Sequence, residues 1–109
     1  MEGQDERDGR EERIDALTAE RYKTPGGATA AITEVTALIN TEIAAYARSE
    51  PDETFAGFAG TAFGDRLRRW LDRLEHLVRE MAKEFAALSY TLTVSWPLGV
   101  SVSVTWPGN

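Results

Sequence analysis

The sequence predicts an α+β fold: an antiparallel two-helix hairpin, a C-terminal two-stranded β-hairpin and a disordered acidic N-terminal tail. Three observations predict it. Apolar residues recur at three- and four-residue steps between residues 28 and 88, the period of a helix face. After residue 89 they switch to strict alternation, the period of a strand. The first 13 residues carry six acidic and three basic side chains and no large apolar residue after Met1, too little apolar surface to offset the entropy of ordering.

A length of 109 residues suits one domain. The expected division is a tail over residues 1–24, with a short helix open to Ile14, Leu17 and Tyr22, and a single domain over residues 25–109. Lys23-Thr24-Pro25-Gly26-Gly27 is a breaker cluster and marks the boundary.

The first helix of the pair is expected from Ala28 to Ser49. Ala28, Ile32, Val35, Ile39, Ile43 and Tyr46 form one stripe, with Leu38 beside it. Ser49-Glu50-Pro51-Asp52 ends it, because proline removes a donor and pushes its predecessor out of the helical region. A loop from Glu50 to Gly60 follows, and its Phe55 and Phe58 are expected to plug the end of the pair.

The second helix is expected from Ala62 to Leu88. Leu67, Leu71, Leu74, Val78, Met81, Phe85 and Leu88 alternate steps of four and three, an a/d seam. Trp70 and Leu77 widen it, which suits packing against two surfaces. On the polar face, Arg68–Asp72 and Glu75–Arg79 are i,i+4 pairs of opposite sign.

The last 21 residues, Ser89–Asn109, carry no charge. Tyr90, Leu92, Val94 and Trp96 alternate with hydroxyl residues, as do Val100, Val102, Val104 and Trp106 after Pro97-Leu98-Gly99. A three-residue loop with Gly99 at positive φ pairs Trp96 with Val100, Val94 with Val102, Leu92 with Val104 and Tyr90 with Trp106. That puts all eight apolar side chains on one face, and a one-residue slip would break the match.

Composition excludes several classes of function. There is no cysteine, hence no disulfide, thiol nucleophile or cysteine-ligated metal. A single histidine excludes a multi-histidine centre. No apolar run approaches the length of a transmembrane helix. The N-terminus is acidic where a secretory signal is basic and then apolar. These features predict a cytoplasmic chain and leave export without such a signal open.

The search for chemistry is short. His76 has Asp72 one turn before it but no nucleophile nearby, and reads as a surface histidine. Glu80 and Glu84 read as a solvated face. Gly26-Gly27 lacks the lysine and the preceding strand of a phosphate-binding loop. No enzyme activity, cofactor or metal is expected.

Two features point to partners. Arg66, Arg69 and Arg73 line one helix face, with Arg68 nearby and His76 continuing the line. Such a stripe binds phosphate backbones or an acidic partner. The net charge of −6, from 12 basic and 18 acidic residues, disfavours nucleic acid, and the acidic tail is a ready counter-charge.

The hairpin admits three readings: a ribbon lying apolar face down on the helices, a ribbon extending a sheet with another chain, or a membrane-inserting hairpin. Strands of seven residues fall short of the roughly 9–11 that span a bilayer. The strands lack the lysine, glutamate or internal proline that blunt an edge. The expected partner surface is therefore Trp96, Val100, Val102, Val104 and Trp106, with Arg66, Arg69 and Arg73. A core of this size is marginal alone, so a homo-oligomer sharing the Trp/Val face is expected. The function expected is a non-enzymatic interaction or adaptor module acting through the second-helix seam and the hairpin.

The loop and second helix also resemble one family, the WXG-type helical-hairpin substrates of type VII secretion. Phe55-Ala56-Gly57 stands where that family has Trp-x-Gly between two helices, and Ala59, Ala62, Phe63 and Trp70 follow at similar steps. The resemblance covers residues 55–88. Tyr90 is followed four residues later by Val94, where the family's export signal has an acidic residue. The resemblance implies a small helical protein, secreted or membrane-acting, that works by pairing rather than by catalysis.

Overall fold

The computed structural model describes residues 2–50, 57, 60–95 and 99–108, with side chains from Gly9 onward. Among these the elements run α1 (Glu2–Ala19), α2 (Pro25–Ser49), α3 (Ala62–Glu84), β1 (Ser89–Ser95) and β2 (Gly99–Thr105). The class is α+β, with three helices and a two-stranded antiparallel sheet. Phe55, Ala56, Phe58, Ala59 and Trp96 lie outside the described residues.

The first difference from the sequence reading is α1. A disordered tail is expected over residues 1–13, yet the backbone is helical from Glu2. Glutamate, arginine, glutamine and alanine favour a helix locally, and two apolar residues anchor this one: Ile14 is fully buried and Leu17 nearly so. Ion pairs supply the remaining contacts. Arg13 grips Glu34 with two bonds, Nε to Oε2 at 2.6 Å and Nη2 to Oε1 at 3.0 Å. Arg10 Nε meets Glu42 Oε1 at 2.5 Å. Toward α3, Glu11 pairs with Arg69, and Asp15 Oδ1 lies 2.9 Å from Arg73 Nη1, off the line of a hydrogen bond. The order of these contacts runs α1 antiparallel to α2 and parallel to α3.

Helix α2 begins three residues before the expected Ala28. Thr24 is its N-cap and accepts the Gly27 amide at 3.0 Å, with Pro25 in the first turn. The residues read as a breaker are thus a start signal, since proline suits a position whose N–H has no helical acceptor. The expected stripe is buried through Ile43, and Leu38 and Tyr46 are partly covered. Thr61 caps α3 in the same way, accepting from Gly64 at 3.1 Å.

Helix α3 supplies the largest share of the core. Leu67, Trp70, Leu74, Leu77, Val78 and Met81 are buried against α1 and α2, with Trp70, Leu74 and Val78 fully enclosed. The helix stops at Glu84, four residues short of the expected Leu88. Ala86 takes a left-handed φ of +53°, and the Ala87 amide reaches back to the Ala82 carbonyl at 2.8 Å. This is a Schellman cap with alanine where glycine is usual. It throws Leu88 outward, 70% exposed, so Leu88 is no part of the seam. Of the two i,i+4 pairs, Glu75–Arg79 forms at 2.6 Å; Arg68–Asp72 is not among the ion pairs of the described residues.

The hairpin register also differs. Val94 pairs with Val100, Leu92 with Val102, and Tyr90 with Val104. Each strand-two partner is two residues earlier than expected. Side chains alternate with a period of two, so a shift of two keeps every apolar residue on the same face. Gly99 has the expected positive φ, +119°, but stands in β2 opposite Ser95.

Two predictions follow from this packing. Ala86→Gly relieves a left-handed L-residue and should stabilise by about 0.5–1 kcal/mol, whereas Ala82→Gly in the helix body should cost about 1 kcal/mol. Chemical denaturation of the two variants should therefore show midpoints moving in opposite directions. Leu74→Ala should cost about 2–5 kcal/mol, and Arg69→Ala, which loses a half-exposed ion pair, less than about 1 kcal/mol. Equal losses would mean that the buried face of α3 is misassigned.

Candidate interaction surface

A polar contact fixes the turn end of the hairpin to the helices. Asn40, on α2, donates from Nδ2 to the Val100 carbonyl at 2.9 Å and accepts the Val100 amide on Oδ1 at 2.6 Å. A Cβ on Gly99 would collide with that same amide group, so the close approach itself requires glycine. Trp106 closes the other end: its Nε1 donates to Thr29 Oγ1 at 2.9 Å, and its ring meets Phe85 edge-on with centroids 6.1 Å apart.

The Asn40 clamp also determines which way the strand backbones face. Within a strand, the N–H and C=O of one residue point to the same side, and the side alternates with each residue. Both polar groups of Val100 meet α2, so those of Val102 and Val104 face outward as well. The groups of Ser101, Ser103 and Thr105 face β1. On β1 the same parity turns Tyr90, Leu92 and Val94 outward, because they lie opposite Val104, Val102 and Val100.

The two outer edges differ in environment. Beside β2 runs α2, with Ile32, Thr33, Thr36, Ala37 and Asn40 lining the groove between them. No hydrogen bond of the described residues reaches the outward backbone groups of Tyr90, Leu92 or Val94. Every β1 residue except Leu92 is exposed, including Tyr90 at 37% and Val94 at 39%. Leu88 and Tyr90, with Arg79 and Lys83, help line an open depression of about 500 Å³, and Val94 lies further along the same strand face. The Arg79 guanidinium is held above its ordinary pKa first by the Glu75 carboxylate and then by the Tyr90 phenol.

The expected partner residues are thereby divided. Val100 is buried, and Val102, Val104 and Trp106 pack on the chain's own core. The arginines are separate from the hairpin: Arg69 and Arg73 face α1, and Arg66 lies over the Phe63 ring, 5.9 Å from its centroid. The acidic segment expected as counter-charge is indeed what meets the stripe. The seam of α3 is interior.

His76 is exposed and shares a depression of about 240 Å³ with Thr18, Arg21, Glu80 and Glu84 at the end of α1. Among the described residues no group of three His, Cys, Asp or Glu side chains is placed to hold a metal ion, and no helix is long and apolar enough to cross a membrane. No protein-family model matches the chain, and neither a curated protein nor a solved structure matches it.

Sequence reasoning missed Asn40 and Glu42. Asparagine is a poor residue for a helix interior, so its place one step beyond Ile39 was the available signal. Asn40→Asp should cost about 1–3 kcal/mol, because a carboxylate cannot donate to the Val100 carbonyl. Only the protonated acid donates there, so the substituted carboxyl should have a raised folded-state pKa. The deficit should shrink as pH falls toward the ordinary aspartate range and be full at neutral pH. Urea midpoints across that range check it.

Proposed function

We propose that this protein is a non-enzymatic protein–protein interaction module whose working surface is the outer edge of β1 with the strip Leu88, Tyr90 and Val94. The observation that carries the reading is the contrast between the two hairpin edges, one clamped by Asn40 and flanked by α2, the other open. A strand edge is a template for pairing with another chain, and this one has no charge to blunt it. The α3 seam, the other surface offered by the sequence, is engaged within the chain.

A photo-crosslinking residue at position 94, with one at the exposed Ala44 as control, tests the proposal in the native cell. Covalent capture of a protein from position 94 and none from position 44 is the expected result. No capture from position 94 would sink it.

The WXG-like reading remains as a second proposal, a small secreted or membrane-acting helical protein. Its support is the order of α2 before α3, with Phe63 and Trp70 meeting edge to face in the core at 6.3 Å. Recovery of the chain from culture medium, against a cytosolic marker, is its test.

A further inference from the structure

Resting on the interaction reading above, we infer that the occupant of the open edge is a second copy of the chain. Two β1 strands then pair antiparallel about a two-fold axis at Leu92, forming one four-stranded sheet.

Charge selects the occupant. All 12 basic and 18 acidic residues precede Ser89, and the net charge is −6. Two copies therefore repel over most of their surfaces. The neutral ribbon is where that repulsion is least, and a strand bearing charge would gain no partner on it. Both strands of this chain meet the requirement of neutrality, and of the two β1 is the one without the Asn40 clamp on its outer edge.

The register follows from parity and length. Hydrogen-bonded pairs across the new seam need outward backbone groups on both sides, which restricts them to Tyr90, Leu92 and Val94. Leu92 is the middle residue of Ser89–Ser95, so an axis there pairs every residue of the strand. Leu92 then faces Leu92 of the second copy. Tyr90 faces Val94 of the second copy, an aromatic–β-branched pair, and Thr91 faces Thr93 on the hydroxyl side; both are favourable cross-strand combinations. The apolar faces of both copies turn to the same side, so the half-exposed Tyr90 and Val94 side chains cover one another across the seam. The contact is isologous, the same patch on each copy, as a two-fold dimer requires.

The test uses two double variants of the full chain at exposed positions, so that neither disturbs the core. Thr91→Lys/Thr93→Lys sets like charges opposite each other across the seam. Thr91→Lys/Thr93→Glu sets opposite charges there only if residue 91 faces residue 93. In sedimentation at high micromolar concentration, the wild type should run at twice the 12.1 kDa chain mass. The Lys/Lys variant should fall to the monomer mass, and the Lys/Glu variant should remain a dimer. Far-UV circular dichroism should be unchanged in both, since within the hairpin these positions face only Ser101 and Ser103.

A monomeric wild type overturns the inference, and so does a Lys/Lys variant that remains a dimer. Loss of the dimer in both variants overturns the register at Leu92. Crosslinking from position 94 separates this inference from the broader reading. Products at twice the chain mass support self-pairing. A foreign chain captured by a monomeric wild type overturns self-pairing while the interaction reading stands, and no product overturns both.

Discussion

Both backbone polar groups of Val100 end on the side-chain amide of Asn40, and the placement of the hairpin follows from that pair of bonds. A two-stranded ribbon is marginal in isolation and needs a surface to lie on. Apolar contact alone would let this one slide by two residues, since Val100, Val102 and Val104 present nearly the same face. An amide that donates to one carbonyl and accepts one N–H recognises a single residue, and so sets both position and direction. The lack of a side chain at Gly99 is what lets the amide approach.

The helical layer is organised by charge as much as by apolar burial. Helix α1 contributes two large apolar residues to the core, Ile14 and Leu17, which is little for its length. Its pairs with Glu34, Glu42, Arg69 and Arg73 fix its direction along α2 and α3. Among the described residues Glu42, 4% exposed, is the position where this pairing reaches the interior, and Arg10 is its partner. Exposed pairs such as Arg13–Glu34 contribute modestly and are screened by salt, although Arg13 does hold the Glu34 carboxyl below its ordinary pKa. Helix α1 is accordingly the element most sensitive to ionic strength.

What the sequence made legible follows from what periodicity can report. The stripes of α2 and α3 were readable because six or seven apolar residues repeat in each, and the hairpin faces because alternation runs without a break. The register was not readable: a period-two pattern is identical after a shift of two, and the bond that removes the ambiguity comes from Asn40, sixty residues away. A short helix at Ile14 and Leu17 was legible, but the extension of α1 back to Glu2 was missed, because composition reads local apolar content, whereas α1 is also supported by ion pairs 21 to 58 residues apart in sequence. The end of α3 was missed because Ala86 occupies a left-handed cap without the glycine that announces one. The arginine stripe and its acidic counter-charge were both legible, but a segment read as disordered offered no fixed contact, so Arg69 and Arg73 were also assigned to a partner.

The difference between the two hairpin edges bears on what kind of assembly this fold permits. A ribbon with both edges open offers a donor row and an acceptor row on each side, and pairing through both propagates into a fibre. Here the outer edge of β2 begins at a residue whose polar groups are already engaged, and α2 runs alongside it. Among the described residues the edge of β1 carries no such clamp. An edge that pairs with itself about a two-fold axis is used up in doing so, and the assembly closes at two copies. On the inferred pairing, the absence of lysine, glutamate and proline from these strands would be tolerable, because α2 would protect one side and the pairing the other. The contact with Asn40 that seats the hairpin is also the contact that leaves a single edge open.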